Sequence, residues 1–291
     1  MEFGIWNLEF GIWDYQTIQC SMFNVQYSMF NVQCSIFNFQ FSNPSSFKLF
    51  IDCMLIAPMK DLSLTANQIQ EVTSFQDLVD TPFRGPINAL CWQRELIGDF
   101  SEIANKLSCK GTMAAVHPKE LMELQLSEQG QLARKTILID LKLLEGYGAA
   151  PILNVIANYE RDEDFPLLPT DVYSFHVDRS PVPTDTFLCT YYGAASDILP
   201  NAEATQKILV PEIRSELKKL YDGEEDAGFE DFLSEYFFDL HYQEKPDAQP
   251  INLGLGNLWK LAVDHPESNV LPCVHRAPKE NDGERRLLLI C

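Results

Sequence analysis

Two short segments about a hundred residues apart hold the residue types that could do chemistry. The first is Phe175-His176-Val177-Asp178; the second is Cys273-Val274-His275-Arg276, with Arg285 and Arg286 shortly beyond it. On a strand, residues i and i+2 share a face, so His176 and Asp178 would point one way and Val177 the other. An H-x-D of this kind can give two ligands to one ion. The third must come from elsewhere in the chain, and His275 is the best candidate. Two imidazoles and one carboxylate can hold one face of a non-haem iron and leave the other face open. A strand-borne Arg beyond His275 could clamp a carboxylate, because its planar fork matches one bidentately. Only one of Arg285 and Arg286 can face inward, since neighbours on a strand alternate. Cys273 would share the face of His275 and is a candidate fourth ligand, whose soft thiolate would favour zinc. Tyr192, near the end of the run after the H-x-D, is a further candidate.

The remaining histidines read differently. His117 reads as a surface residue. His241 in DLHYQ follows a helical segment and could cap its negative end. His265 sits between Asp264 and Pro266 and reads as a turn residue. The plain alternative for the site is that His176 and Asp178 form an internal hydrogen-bonded pair near a turn, with Arg179 and Arg276 as ordinary ion-pair partners. Cys189 reads as core, since a buried inert thiol is the common case. The sequence has no GxxxxGK[ST] loop, GxGxxG, HExxH or GxSxG motif.

Those residues need elements to position them. Residues 64–80 read as a short helical region, with Ile69, Val72 and Phe75 at helical spacing. Ile87 to Trp92 reads as a buried strand. Asp99 is a candidate N-cap for a helix through Leu107, and Pro118 opens another helix. A longer helix is expected from Gln129 to Glu145, with Leu132, Thr136, Ile139 and Leu143 as its apolar stripe and Gly146 and Gly148 at its end. After Ala150 the pattern turns to strands: Pro151 to Tyr159, Val172 to Val177, Thr186 to Tyr192, a Gly-containing run from Ile251 to Leu261, Cys273 to Arg276, and Arg286 to Cys291. Lys207 to Tyr221 and Phe229 to Phe238 read as helical insertions. Helices first and strands later is an α+β pattern. The expected fold is a helical N-terminal half packed on a double-stranded β-helix, a jelly-roll of cupin-like kind, in the C-terminal half.

The chain has 291 residues, 46% of them hydrophobic, and a formal net charge of −20. So acidic a balance argues against nucleic acid as a partner, because phosphate binding needs a basic surface. It suits a small-molecule or basic substrate better. The eight cysteines form no CxxC pair and read as reduced thiols of a cytoplasmic protein. No apolar run is long enough to span a bilayer, so no membrane role is expected. Residues 1–40 repeat with a period of seven: MEFGIWN and LEFGIWD, then CSMFNVQ, YSMFNVQ and CSIFNFQ. With no Lys or Arg in it, and with Phe, Trp, Asn and Gln in place of Leu, Ala and Glu, the repeat is not a coiled coil. Residues 1–53 are set apart as a low-complexity heptad-repeat segment, expected to be disordered or upstream of a start at Met54 or Met59, with an aromatic, β-prone adhesive segment as the alternative, and residues 54–291 as a single α+β domain.

The blocks FHVD, LCTY, HRxP and RLLL, spread over residues 82–291, resemble a mostly bacterial family known only as a domain of unknown function. More distantly, the order of a strand, H-x-D, a strand, a distant His and a basic residue on the next strand resembles the iron- and 2-oxoglutarate-dependent oxygenases. That second resemblance implies Fe(II) held by His176, Asp178 and His275. It also implies 2-oxoglutarate chelating the metal, with its far carboxylate on Arg285 or Arg286. The chemistry implied is hydroxylation or demethylation. The chain departs from that pattern in ending directly after the Arg-bearing strand and in carrying an acidic helical insertion from Pro211 to Asp239. The alternative reading is a non-catalytic zinc-binding or metal-homeostasis protein with the same ligands.

Overall fold

A computed structural model describes residues 67–162 and 168–291. The segment 1–53 and its expected boundary lie outside the described residues. Among the described residues, six helices and two sheets make an α+β architecture. The first sheet has seven strands in the order β1-β2-β11-β6-β13-β4-β3. These are β1 (Ile69–Val72), β2 (Ala89–Trp92), β3 (Met113–Val116), β4 (Ile152–Ile156), β6 (Asp185–Tyr192), β11 (Leu258–Ala262) and β13 (Arg286–Ile290). The second has six short strands in the order β10-β7-β12-β5-β9-β8. They are β5 (Phe175–His176), β7 (Asp197–Ile198), β8 (Ala204–Gln206), β9 (His241–Glu244), β10 (Ile251–Asn252) and β12 (His275–Arg276). Only β1 and β2 pair in parallel.

One face of the large sheet is covered by α1 (Phe75–Asp80), α2 (Phe100–Lys106), α3 (Pro118–Glu123) and α4 (Glu128–Tyr147), around a core that includes Leu78, Ile103, Leu121, Ile137, Tyr191 and Leu287. The other face meets the small sheet through Ile156, Leu188, Ile198, Trp259, Cys273 and Leu288. Alternation accounts for the division: along β13, Leu287 and Leu289 go to the helices, while Leu288 goes between the sheets. Outside the small sheet, Phe175, Val177, Leu199 and Val274 form a further cluster. The insertion α5 (Pro211–Tyr221) and α6 (Ala227–Glu235) packs around Leu217, Phe229 and Leu233.

The helix signals act locally. Asp99 caps α2 by accepting from the Glu102 amide, and Ser127 caps α4 through Gly130. Gly148, in the left-handed region at φ 101°, ends α4. The buried face of α4 is Ala133, Thr136, Ile137, Asp140, Leu141 and Leu144, whereas Leu132 is exposed. The expected stripe is thus displaced because Asp140 is drawn inward by Arg94, with which it makes paired bonds of 2.6 and 2.8 Å.

The first half is also less helical than expected. Four of the seven strands of the large sheet come from before residue 157. Residues 69–72 are a strand, and the helix begins only after Ser74, whose hydroxyl accepts from the Asp77 amide. The spacing of Ile69 and Val72 suits a helix, but pairing with β2 decides the outcome. The run from Ile251 to Leu261 divides into β10 and β11, with Gly254 and Gly256 both at positive φ between them. No helix among the described residues is long and apolar enough to cross a membrane.

Candidate metal centre

The small sheet aligns histidines across three adjacent strands. His275 of β12 is the direct partner of His176 of β5, and His176 is the direct partner of His241 of β9. Their neighbours Phe175, Leu240, Tyr242 and Val274 pack on the outer face, so the imidazoles share the face toward the large sheet. The rings of His176 and His275 have centroids 4.7 Å apart. Asp178 follows two residues after His176, and its carbonyl accepts from the Asp264 amide at 2.8 Å. His176, Asp178 and His275 each offer a ligand atom, all within 4.8 Å of one another. A shared ion about 2.1 Å from each would draw them slightly closer.

Hydrogen bonds orient all three groups. His176 Nδ1 lies 2.7 Å from the Ser174 carbonyl oxygen, and His275 Nδ1 lies 3.1 Å from that of Cys273. A carbonyl only accepts, so each Nδ1 carries the proton and each Nε2 keeps its lone pair. Such bonds fix the tautomer that a metal ligand requires. Thr186 Oγ1 donates to Asp178 Oδ2 at 2.6 Å, and His275 Nε2 is 3.7 Å from the same oxygen.

Burial and then the neighbouring His275 push His176 down from 6.5 to about 4, so it is neutral near pH 7. Burial alone would raise Asp178, but His275, His176 and the Thr186 bond outweigh it and hold the carboxyl below its ordinary range. Asp178 has no arginine partner. Arg179 pairs instead with Asp239 at 2.7 Å and Asp264 at 2.9 Å, and Arg276 with Asp197 at 3.1 Å. These pairs staple the segments around the site and leave Asp178 facing the imidazoles.

The two terminal arginines part company. Arg285 donates to the carbonyls of Leu107 (2.6 Å) and Ala104 (3.3 Å), so it caps the end of α2 on the helix side. Arg286 is 1% exposed and faces between the sheets. It donates to Ser196 Oγ (2.7 Å), Thr190 Oγ1 (3.1 Å) and the Tyr159 hydroxyl (3.3 Å). Its Nε is buried without a partner, and among the described residues no carboxylate bonds to it directly; Glu280, which accepts the Tyr173 hydroxyl proton, acts on it only at longer range. Burial pushes this guanidinium down from its ordinary value. The strand pairing shifts register between Leu287 and Leu288, where β13 meets β6, and such a bulge re-aims nearby side chains. Gly193 makes room there: a Cβ on it would lie 2.7 Å from the Arg285 carbonyl oxygen.

The other two candidates are outside the set of mutually close ligand atoms, although the Cys273 thiol is within electrostatic reach of Asp178. Cys273 meets His275 through its carbonyl, and burial pushes its thiol up, which keeps it protonated. Tyr192 packs toward the helix-covered core and bonds to Glu284, which raises its hydroxyl.

Several residues escaped the sequence reading. Thr186 and Thr190 share one face of β6, and two hydroxyls in an otherwise apolar run were a usable signal. His241 closes the 3-10 turn Phe238–Leu240 as its C-cap and also opens β9; it is only 4% exposed, and its Nδ1 has no hydrogen-bond partner. Nothing local marks it as more than a capping residue, because its place in the row depends on cross-strand register. Comparison with models of known protein families, with curated proteins and with solved structures gives no match.

Proposed function

We propose that this chain is a mononuclear metal-binding protein of the iron(II)- and 2-oxoglutarate-dependent oxygenase type, acting on a small or basic substrate by hydroxylation or demethylation. On this reading the two facing sheets are a double-stranded β-helix. The FHVD, LCTY, HRxP and RLLL blocks then mark the same architecture in the bacterial family they resemble.

The observation that carries the proposal is Arg286. A buried guanidinium normally has a carboxylate partner, because an unpaired buried charge is costly. Arg286 has hydroxyl partners only, and a buried Nε with none. A ligand carboxylate would supply both the missing charge and the missing acceptor. Ser196, which receives one of its bonds, is two residues from Ile198, the cross-strand partner of His275.

The donor set also fits the ion. Two imidazoles whose Nδ1 positions are held by carbonyls, with Nε2 turned toward one carboxylate, are a non-haem iron facial set. When bound, iron(II) with a 2-oxo acid supplies activation of dioxygen for attack on a C–H bond. The chain's own residues hold and orient. His176, His275 and Asp178 grip the ion, Thr186 keeps the Asp178 carboxylate turned toward it, and Arg286 aligns the far carboxylate. Leu188, Ile198 and Leu288 make the surrounding space apolar and keep water out.

A zinc-binding protein without catalysis is the second reading. The nitrogen-rich donors, with a third imidazole at His241 beside them, favour it, but it gives Arg286 no role. Metal analysis of protein purified without oxygen, followed by calorimetry with 2-oxoglutarate, separates the two. Iron with saturable 2-oxoglutarate binding supports the oxygenase; tight zinc with no 2-oxoglutarate binding overturns it.

A further inference from the structure

The row of histidines continues past His241. In the antiparallel pairing of β8 with β9, Ala204 faces Glu244, Thr205 faces Gln243 and Gln206 faces Tyr242. The next residue, Lys207, opens a 3-10 turn just beyond the end of this pairing and lies close enough to the His241 ring to act on it electrostatically. The three imidazoles of the small sheet are thus followed by an ammonium. Lys207 Nζ donates to Ser174 Oγ at 2.7 Å, and the carbonyl of that same Ser174 receives the Nδ1 proton of His176. No carboxylate among the described residues lies within ion-pair distance of Lys207; Asp171 acts on it only at longer range.

His241 is the second half of the observation. Its ring centroid is 5.8 Å from that of His176, its side chain is almost wholly buried, and Nδ1 is left without a partner. A buried imidazole without hydrogen bonds is costly unless a ligand completes it. It lies outside the set of mutually close ligand atoms, so a role beside the metal suits it better than one on it.

We propose that His241 and Lys207 form a subsite for a carboxylate of the substrate, next to the metal ligands and separate from Arg286. This rests on the metal-centre reading given above. One ammonium and one imidazole donor match a single negative charge. A phosphate, with a charge of about −1.5 to −2, would leave excess negative charge beside Asp178 and Asp171. The substrate class is thus a small monocarboxylate, an amino acid included. Its carboxylate anchors on the β8–β9 side and its remaining part reaches toward His176. An amino acid also carries the cationic group that an acidic surface favours.

Acetate serves as the probe in the full-length chain, loaded with zinc to keep the centre redox-silent. Histidine ring resonances are followed by NMR at constant ionic strength during titration with sodium acetate and, separately, with inorganic phosphate. A saturable acetate shift is expected at the His241 ring. In Lys207→Met the affinity should weaken about tenfold or more, the loss of one charge-assisted hydrogen bond, and Lys207→Arg should restore much of it. Lys207 is half-exposed, so these variants should keep the fold. An absent shift at His241, an acetate affinity unchanged in Lys207→Met, or tighter binding of phosphate overturns the proposal. Zinc stoichiometry measured on the same samples tests the metal reading independently. Zinc bound without an acetate response defeats the subsite alone; an acetate response without zinc defeats the metal reading alone.

Discussion

The large sheet buries an arginine on each of its faces, and the two are treated differently. On the helix side Arg94 makes a paired salt bridge with Asp140, which also accepts the Tyr191 hydroxyl proton at 2.6 Å. On the inter-sheet side Arg286 meets hydroxyls only and keeps an unpartnered Nε. The first network is closed and serves the fold. The second is open and sits on the face shared with His176, Asp178 and His275. A buried charge that the protein answers only at longer range, through Glu280, and never with a direct carboxylate bond leaves room for a ligand that brings one.

Breaking each side should therefore give a different kind of loss. The largest effect is expected at the metal: His176→Ala should reduce bound metal from about one equivalent to near none, with the circular dichroism unchanged. Full metal content in that variant removes His176 as a ligand. Next comes the closed network. Asp140→Ala strands Arg94 in the core and should destabilise the fold by about 3–5 kcal/mol in denaturant titration. In contrast, Arg286→Met should leave stability within about 1 kcal/mol of wild type, since replacing an unpaired buried charge with an apolar chain is close to neutral. Equal destabilisation by the two variants would erase the distinction. Thr186→Val removes only the hydroxyl that orients Asp178, and metal affinity should fall about tenfold.

A further effect is expected on pH dependence. In metal-free protein His176 titrates near 4 in the fold, against 6.5 ordinarily. Between those values the unfolded chain binds more protons than the folded one. Stability is therefore greatest above pH 6.5 and declines as pH falls toward 4. Metal-free His176→Ala should show a shallower decline over this window; an unaltered slope would mean another group dominates it.

What the sequence disclosed follows the range of each signal. The Asp99 cap and the Gly148 stop are decided within a few residues, and both operate as read. The shared face of His176 and Asp178 also needs only local alternation. The meeting of His275 with His176 depends on register between strands a hundred residues apart, which only the paired structure supplies. The same holds for His241, whose neighbours in sequence gave no hint of its row. Residues 69–72 misled because Ile69 and Val72 fit a helix until β2 pairs with them. The buried face of α4 misled because Asp140, a polar residue, is inside only on account of Arg94. Which of Arg285 and Arg286 turns inward followed from alternation only once the irregular pairing of β13 with β6 was known.

The most direct test compares 2-oxoglutarate binding by iron(II)-loaded wild type and Arg286→Met, using anaerobic calorimetry on the full chain. Saturable binding by wild type, weakened about a hundredfold in Arg286→Met with iron content unchanged, is the predicted result. Equal binding by both proteins, or none by the iron-loaded wild type, would contradict the assignment of Arg286 and with it the oxygenase reading.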